Sequence, residues 1–234
     1  MTGNNQQTWK KPAVILQLAV LILILPLLPI LITRRWGWWE AWVYAGVSIF
    51  GFLISRALAA RKHPDLLAER AKFTEHPDAA EWDRILAPLV GLGGGLIPLT
   101  AGLDALLGWS GGFSPGLKLI ALAVIVIGYL LGSWALIANR YFSGVVRIQH
   151  DRGHEVIREG PYRWVRHPGY AGAILTYLAV PVLLDSRWAL VPAVLLIVLL
   201  VIRTALEDRT LQENLPGYPE YTDQVPHRLI PWIW

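Results

Sequence analysis

Apolar residues run in long stretches along this chain of 234 residues. An α-helix needs about 20 of them in succession to cross about 30 Å of hydrocarbon. Residues 12–33, 39–60, 85–108 and 118–138 meet that length. Two further runs, 171–184 and 188–206, are separated only by Asp185, Ser186 and Arg187, and they read as a helical hairpin with a short first arm. The pattern predicts an all-α fold, a polytopic transmembrane helical bundle of six spans, or five if the hairpin crosses incompletely. The first run follows Lys10 and Lys11, as in a signal peptide. It is long and has no small-residue cleavage site, so it is expected to be retained.

The polar positions divide the chain unevenly. Residues 1–138 read as N-terminal transmembrane helices. Residues 139–234 interleave the hairpin with polar, aromatic-rich segments and a C-terminal tail. Leu66, Leu67, Ala71 and Phe73 stand among charges, which predicts a short interfacial helix. Gly91, Gly93, Gly94 and Gly95 lie inside an apolar run without the strand–turn–helix context of a dinucleotide fingerprint, so close helix packing is expected there.

Composition agrees with this picture. Hydrophobic residues make up 54% of the chain and charged ones 16%, against about 25% charged in an ordinary soluble domain. The net charge of +4 is modest and reads as topology-setting, so no nucleic-acid partner is expected. The absence of cysteine excludes disulfides, thiolate metal sites and cysteine nucleophiles. Trp36, Trp38, Trp39, Trp109, Trp188, Trp232 and Trp234 flank apolar runs, where indole rings favour the headgroup layer. Five Lys/Arg fall in 61–84, six Arg in 139–168 and none in 109–117. That distribution predicts cytoplasmic N- and C-termini, with Arg34 and Arg35 left to snorkel on the far side. Short loops point to a prokaryotic inner membrane.

Candidate chemistry gathers around the hairpin. Gly160-Pro161-Tyr162 and Arg166-His167-Pro168-Gly169-Tyr170 precede its first arm, and a helix starting after Pro168 would offer free backbone N–H groups near Gly169–Gly172 to a carboxylate. The bland reading is a basic loop resting on anionic lipid. Arg203 and Glu207 share one helix face at the far end of the second arm. Ionisable groups near membrane depth need a partner or a task, and a mutual salt bridge is the simpler alternative. The tail holds Pro216, Gly217, Tyr218, Pro219 and Tyr221, then Pro226, His227, Arg228 and Pro231, a pattern unsuited to a long helix but suited to covering a site or the bilayer surface. His150 and His154 are four apart, yet no carboxylate spacing completes a metal site, so none is expected.

These motifs, in order from Asn139 to Trp234, resemble the isoprenylcysteine carboxyl methyltransferases and the related phospholipid N-methyltransferases. The resemblance rests on His154-Glu155-Val156-Ile157, Gly160-Pro161-Tyr162, Arg166-His167-Pro168 with Tyr170 and Gly172, Arg203 with Glu207, and the Gly217 to Pro231 tail. It implies an S-adenosylmethionine-dependent enzyme with a pocket closed by the tail. Carried over residue by residue, the cofactor-binding set is Arg147, His154, Glu155, Val156, Ile157, Tyr162, His167, Pro168, Gly169, Tyr170 and Glu207, with Arg147 standing where the family has a glutamine. Arg203 corresponds to the catalytic arginine that holds the acceptor carboxylate. The Glu207-Asp208 pair replaces the family's usual Glu-Glu. The implied partners are membrane lipid and a lipidic or hydrophobic acceptor. An amine-methylating phospholipid enzyme and an NADPH-dependent sterol-type reductase, which shares an arginine-histidine-proline region, are the alternatives.

Overall fold

The computed structural model describes residues 19–71 and 76–234. Every described element is helical. A wide π-helical turn at Val20–Ile24 leads into α1, Leu25–Thr33. Then come α2, Trp39–Lys62, the short α3, Leu66–Ala71, and the pair α4, Asp83–Gly93, and α5, Leu96–Leu107. The chain continues as α6, Pro115–Ala138, α7, Pro168–Leu183, α8, Leu190–Asn214, and α9, Tyr218–Gln224.

Four helical segments are long and apolar enough to span a membrane: Trp39–Lys62, Asp83–Leu107, Pro115–Ala138 and Leu190–Asn214. Ile22–Thr33 and Pro168–Leu183 are shorter apolar helices. The 16 residues of α7 reach about 24 Å at 1.5 Å per residue, less than the hydrocarbon thickness, as the short first arm of the hairpin predicts. Residues 12–18 of the first expected span and Phe73 lie outside the described residues. Leu130, Ile85, Leu92 and Leu195 are each more than 60% exposed. Such apolar outer surface is stable only against lipid, and the chain is a helical membrane protein.

The apolar run at 85–108 bends into two helices at Gly94 and Gly95. A Cβ on Gly93 would lie 2.5 Å from Leu196 and one on Gly95 2.9 Å from Leu25. These two positions bear out the close packing expected there. Gly91 has nothing within 4 Å and does not contribute.

The tightest helix pair is α6 with α7. A Cβ on Gly172 would sit 2.5 Å from the Gly128 carbonyl and 2.9 Å from the Gly132 nitrogen, and one on Gly128 would meet the Gly172 carbonyl at 2.6 Å. Only glycine allows backbones this close, and in lipid such contact replaces the hydrophobic effect between helices. The central core is built from Ile30, Ala41, Tyr44, Ile97, Ile125, Leu183 and Leu196.

Polar latches fix the end of the bundle away from the tail. Lys118 bridges Glu40 at 2.5 Å and Asp185 at 2.8 Å, tying α2, α6 and the hairpin turn together. Asp104, 1% exposed, accepts from the Ser110 hydroxyl at 2.7 Å and the Ser186 hydroxyl at 2.6 Å. Each buried carboxylate is thus answered.

Candidate functional site

At the opposite end, the ordered and mostly non-helical stretch between α6 and α7 wraps one wall of a cavity. Its fold follows from a few locks. The buried Gln149 donates to the Tyr141 carbonyl at 2.7 Å, and Tyr141 donates its hydroxyl to Gly153 at 2.6 Å. The Tyr141 and His154 rings lie 4.6 Å apart. Gly160 adopts φ +57°, turning the chain where a Cβ would strike the Trp134 indole at 2.9 Å. Pro161 then sets a single helical turn, Gly160–Arg163, that buries Tyr162. Asn139 donates to the Tyr162 hydroxyl at 3.2 Å. Burial pushes the Tyr162 phenol well above its ordinary range, so it stays protonated.

Pro168 occupies the first turn of α7, as expected. The free donors predicted near Gly169–Gly172 are fewer than expected. The Tyr170 and Ala171 N–H groups both turn back to the His167 carbonyl at 3.1 Å. Gly169 serves a different purpose: a Cβ there would meet Phe142 at 2.8 Å, so its hydrogen lets that ring close the wall.

The cavity has a volume of about 100 Å³ and opens to its surroundings. Its lining brings together Arg147, His154, Glu155, Val156, Ile157, Tyr162, His167, Gly169, Tyr170, Arg203 and Glu207, from five separate stretches of chain. Of Arg203 and the cofactor-binding set that the resemblance implies, only Pro168 is absent from the wall; it is buried at the α7 start. Tyr170 donates to Glu207 at 2.5 Å, and its ring stacks nearly parallel to His167, 5.8 Å away at 5°. The His154 imidazole is pushed down to about 4, first by burial and then by the charges of Arg147, Arg152 and His150. It faces the cavity as a neutral ring near neutral pH.

Arg203 and Glu207 do not pair with each other. Arg203 donates Nε and Nη2 to Asp83 at 2.7 and 2.9 Å, and Nη2 also to the Gly144 carbonyl at 3.1 Å. Its Nη1 has no partner among the described residues. Arg147 is also engaged. It donates to Glu69 at 2.7 Å, Asp78 at 2.7 Å and Asp151 at 2.9 Å. Three carboxylates surround one guanidinium, so Arg147 braces the wall, with little left to offer a ligand.

Asp208, with no solvent exposure, is the organising residue that sequence reasoning passes over as a mild departure. It accepts from Arg166 at 2.7 and 3.0 Å, Arg228 at 2.8 Å, Tyr218 at 3.0 Å and Gln212 at 2.8 Å, and lies 3.3 Å from His167. Through it α8, the start of α7 and the tail meet. The tail also pairs by backbone, Arg166 N–H to His227 at 3.0 Å and His167 N–H to Arg228 at 2.9 Å. Tyr221 donates to the Tyr162 carbonyl at 2.6 Å. Leu215, Tyr218 and Tyr221 thereby complete the wall.

The chain has relatives among known proteins. Over 100 residues it is 33% identical to the uncharacterized protein YpbQ of Bacillus subtilis (strain 168), covering 42% of this chain and 56% of that protein. Over 123 residues it is 30% identical to the protein-S-isoprenylcysteine O-methyltransferase B of Arabidopsis thaliana, covering 49% and 62%. Over 117 residues it is 28% identical to a probable protein-S-isoprenylcysteine O-methyltransferase of Oryza sativa subsp. indica, covering 49% and 61%. The chain thus spans somewhat more than half the length of these relatives. The model of the isoprenylcysteine carboxyl methyltransferase (ICMT) family matches residues 119–213, which hold most of the cavity wall, so this part of the chain is similar to that family.

Proposed function

We propose that the protein transfers a methyl group from S-adenosylmethionine to the carboxylate of a lipidic acceptor. The reading is carried by one observation: Tyr162, His167, Tyr170 and Glu207 share a single cavity with His154–Ile157, closed by the tail. That wall suits the donor. Its aromatic faces attract a sulfonium cation, and the Glu207 carboxylate adds an opposite charge. When bound, the donor supplies an electrophilic methyl whose C–S bond breaks, leaving its electron pair on a neutral thioether, as a carboxylate oxygen lone pair forms the new C–O bond.

The chain's own groups orient and dry this encounter. The hydroxyl of Tyr170 fixes one Glu207 oxygen. Asp83 holds the Arg203 guanidinium in one orientation, leaving Nη1 to meet an acidic head. The tail excludes water, which strengthens every charge inside. An anion and a cation give neutral products, and a water-poor site favours that loss of charge. A carboxylate needs no general base. An amine would have to shed a proton beside Arg203, so O-methylation is preferred to N-methylation. The Lys/Arg distribution supports placing the pocket and both termini at the cytoplasmic face of a prokaryotic inner membrane, with the acceptor drawn from that leaflet.

Binding of labelled S-adenosylmethionine to the protein in lipid nanodiscs tests the reading. Glu207→Gln is expected to weaken binding at least about tenfold, through loss of a charge contact to the sulfonium. Folded wild-type protein that binds no donor, or that is protected by NADPH and not by S-adenosylmethionine, overturns it.

A further inference from the structure

Beyond the strands of tail that pair with Arg166 and His167, the chain turns its apolar side chains outward. Leu229 is buried, but Ile230 is exposed, and Ile233 and Trp232 are 75% and 90% exposed. The turn that carries them is ordered by its own hydrogen bonds. Leu229 and Ile230 donate their N–H groups to the Trp234 carbonyl at 2.9 and 3.1 Å, and Trp234 donates back to the Ile230 carbonyl at 3.2 Å. The Trp232 N–H meets the His227 imidazole at 3.3 Å, and the Arg228 guanidinium lies 4.9 Å from the Trp234 ring. Trp232 itself has φ +64°, a left-handed conformation that is strained for a bulky side chain. The backbone is thus held in a strained bend that points an indole away from the protein.

The surroundings of the turn indicate what receives that ring. Leu130 and Trp134, one helical turn apart near the end of α6, are both exposed on the lipid-facing surface of the bundle. The Trp164 ring packs edge-on against Trp134 at 5.3 Å and is itself exposed, so it carries that surface past the end of α6. Two residues further on, Arg166 and His167 donate their N–H groups to the His227 and Arg228 carbonyls. The outward turn therefore hangs from the segment that continues the lipid-facing surface. Arg163, exposed, and Arg228 accompany it. Indole rings with guanidiniums beside them match the headgroup layer, where the rings bury apolar area and the cations meet phosphate.

We propose that the turn 230–234 seats in the headgroup layer of the bilayer, with Trp232 and Ile233 as its apolar anchors, and so pins to the membrane the stretch of tail that closes the pocket. The proposal is independent of the methyl-donor reading. The chain has no cysteine, so a nitroxide on one introduced cysteine reports one place. Ile233→Cys is spin-labelled in lipid nanodiscs, with Leu130→Cys as the lipid reference and Glu220→Cys, at an exposed carboxylate of α9, as the water reference. Collisions with oxygen, which concentrates in lipid, are compared with those of a nickel chelate, which stays in water. The oxygen-to-nickel ratio at 233 is expected to exceed that at 220 by at least about fivefold. As a second readout, Trp232→Ser/Ile233→Ser should speed hydrogen exchange of the Arg166 and His167 amides, which donate to the tail, at least about tenfold in nanodiscs. Equal ratios at 233 and 220 put the turn in water and overturn the proposal. Scarce collisions with both reagents at 233 put it against protein, a second copy of the chain, and overturn it equally. Unchanged exchange at 166 and 167 in the double variant overturns the pinning of the tail.

Discussion

Replacing Asp208 by asparagine removes the one negative charge that Arg166 and Arg228 share, while keeping the side chain's size. Asp208 is fully buried, and the Arg166 side chain is 5% exposed, so that cation cannot recover hydration in place. Stranding one member of a buried ion pair costs about 3–5 kcal/mol. Arg228 is 30% exposed and regains water, and the asparagine oxygen still accepts one bond, which places the loss near the lower limit. About 3 kcal/mol corresponds to roughly two orders of magnitude in an equilibrium constant. Because Arg166 also holds Val225 and His227, the weakened element is the tail. Hydrogen exchange in nanodiscs reads this directly. Amides of 215–228 should exchange roughly 100-fold faster in the variant, while those in the middle of α6 keep wild-type rates. Asp208→Asn combined with Arg228→Gln should recover part of the protection, since one stranded charge is gone. Tail exchange within about threefold of wild type would refute the claim that this carboxylate holds the pocket closed.

Three further outcomes are expected. His154, pushed down to about 4, binds its proton later in the folded than in the unfolded chain, whose imidazole titrates near 6.5. Its contribution is complete above about pH 6.5 and falls away as pH drops toward 4, by about 1–2 kcal/mol once solvent screening is allowed for; thermal midpoints in detergent across that window should show the fall, and His154→Gln should flatten it. Gly172→Ala places a Cβ 2.5 Å from the Gly128 carbonyl, a backbone atom that cannot step aside, and should cost about 1–3 kcal/mol, whereas Gly132→Ala, with nothing within 4 Å, should leave the melting temperature unchanged. Asp83→Asn frees the Arg203 guanidinium from its orientation; donor binding should stay within about twofold, while transfer to an acidic acceptor falls at least about tenfold, with recovery in Asp83→Glu.

The spans are legible in the sequence because lipid permits few backbone solutions, and the hairpin with its short first arm follows from run lengths alone. The wall of the cavity is legible too, since its residues sit in short ordered motifs. Their partners are not. The four-residue spacing of Arg203 and Glu207 suggests a mutual bridge, yet Arg203 turns to Asp83, 120 positions earlier, and Glu207 to Tyr170, 37 positions earlier. Local periodicity carries no information about such pairings. The role of Asp208 is equally hidden, because its five partners come from three elements that only the tertiary fold assembles. The Gly128 and Gly132 pair does carry a signal in its spacing, but the denser glycine run at 91–95 draws attention first. There the glycines both pack and bend the helix.

The Asp83–Arg203 bridge has a consequence for how such a protein can be rebuilt. Arg203 lies in the family-matched segment, but its counter-charge is contributed by a helix upstream of it, as is Glu69, which answers Arg147. The front of the molecule is therefore a donor of acids to the back. A chimera that grafts residues 119–234 onto unrelated membrane helices orphans Arg203 and leaves Arg147 with Asp151 alone, and only scaffolds bearing carboxylates at those two depths should yield a working hybrid.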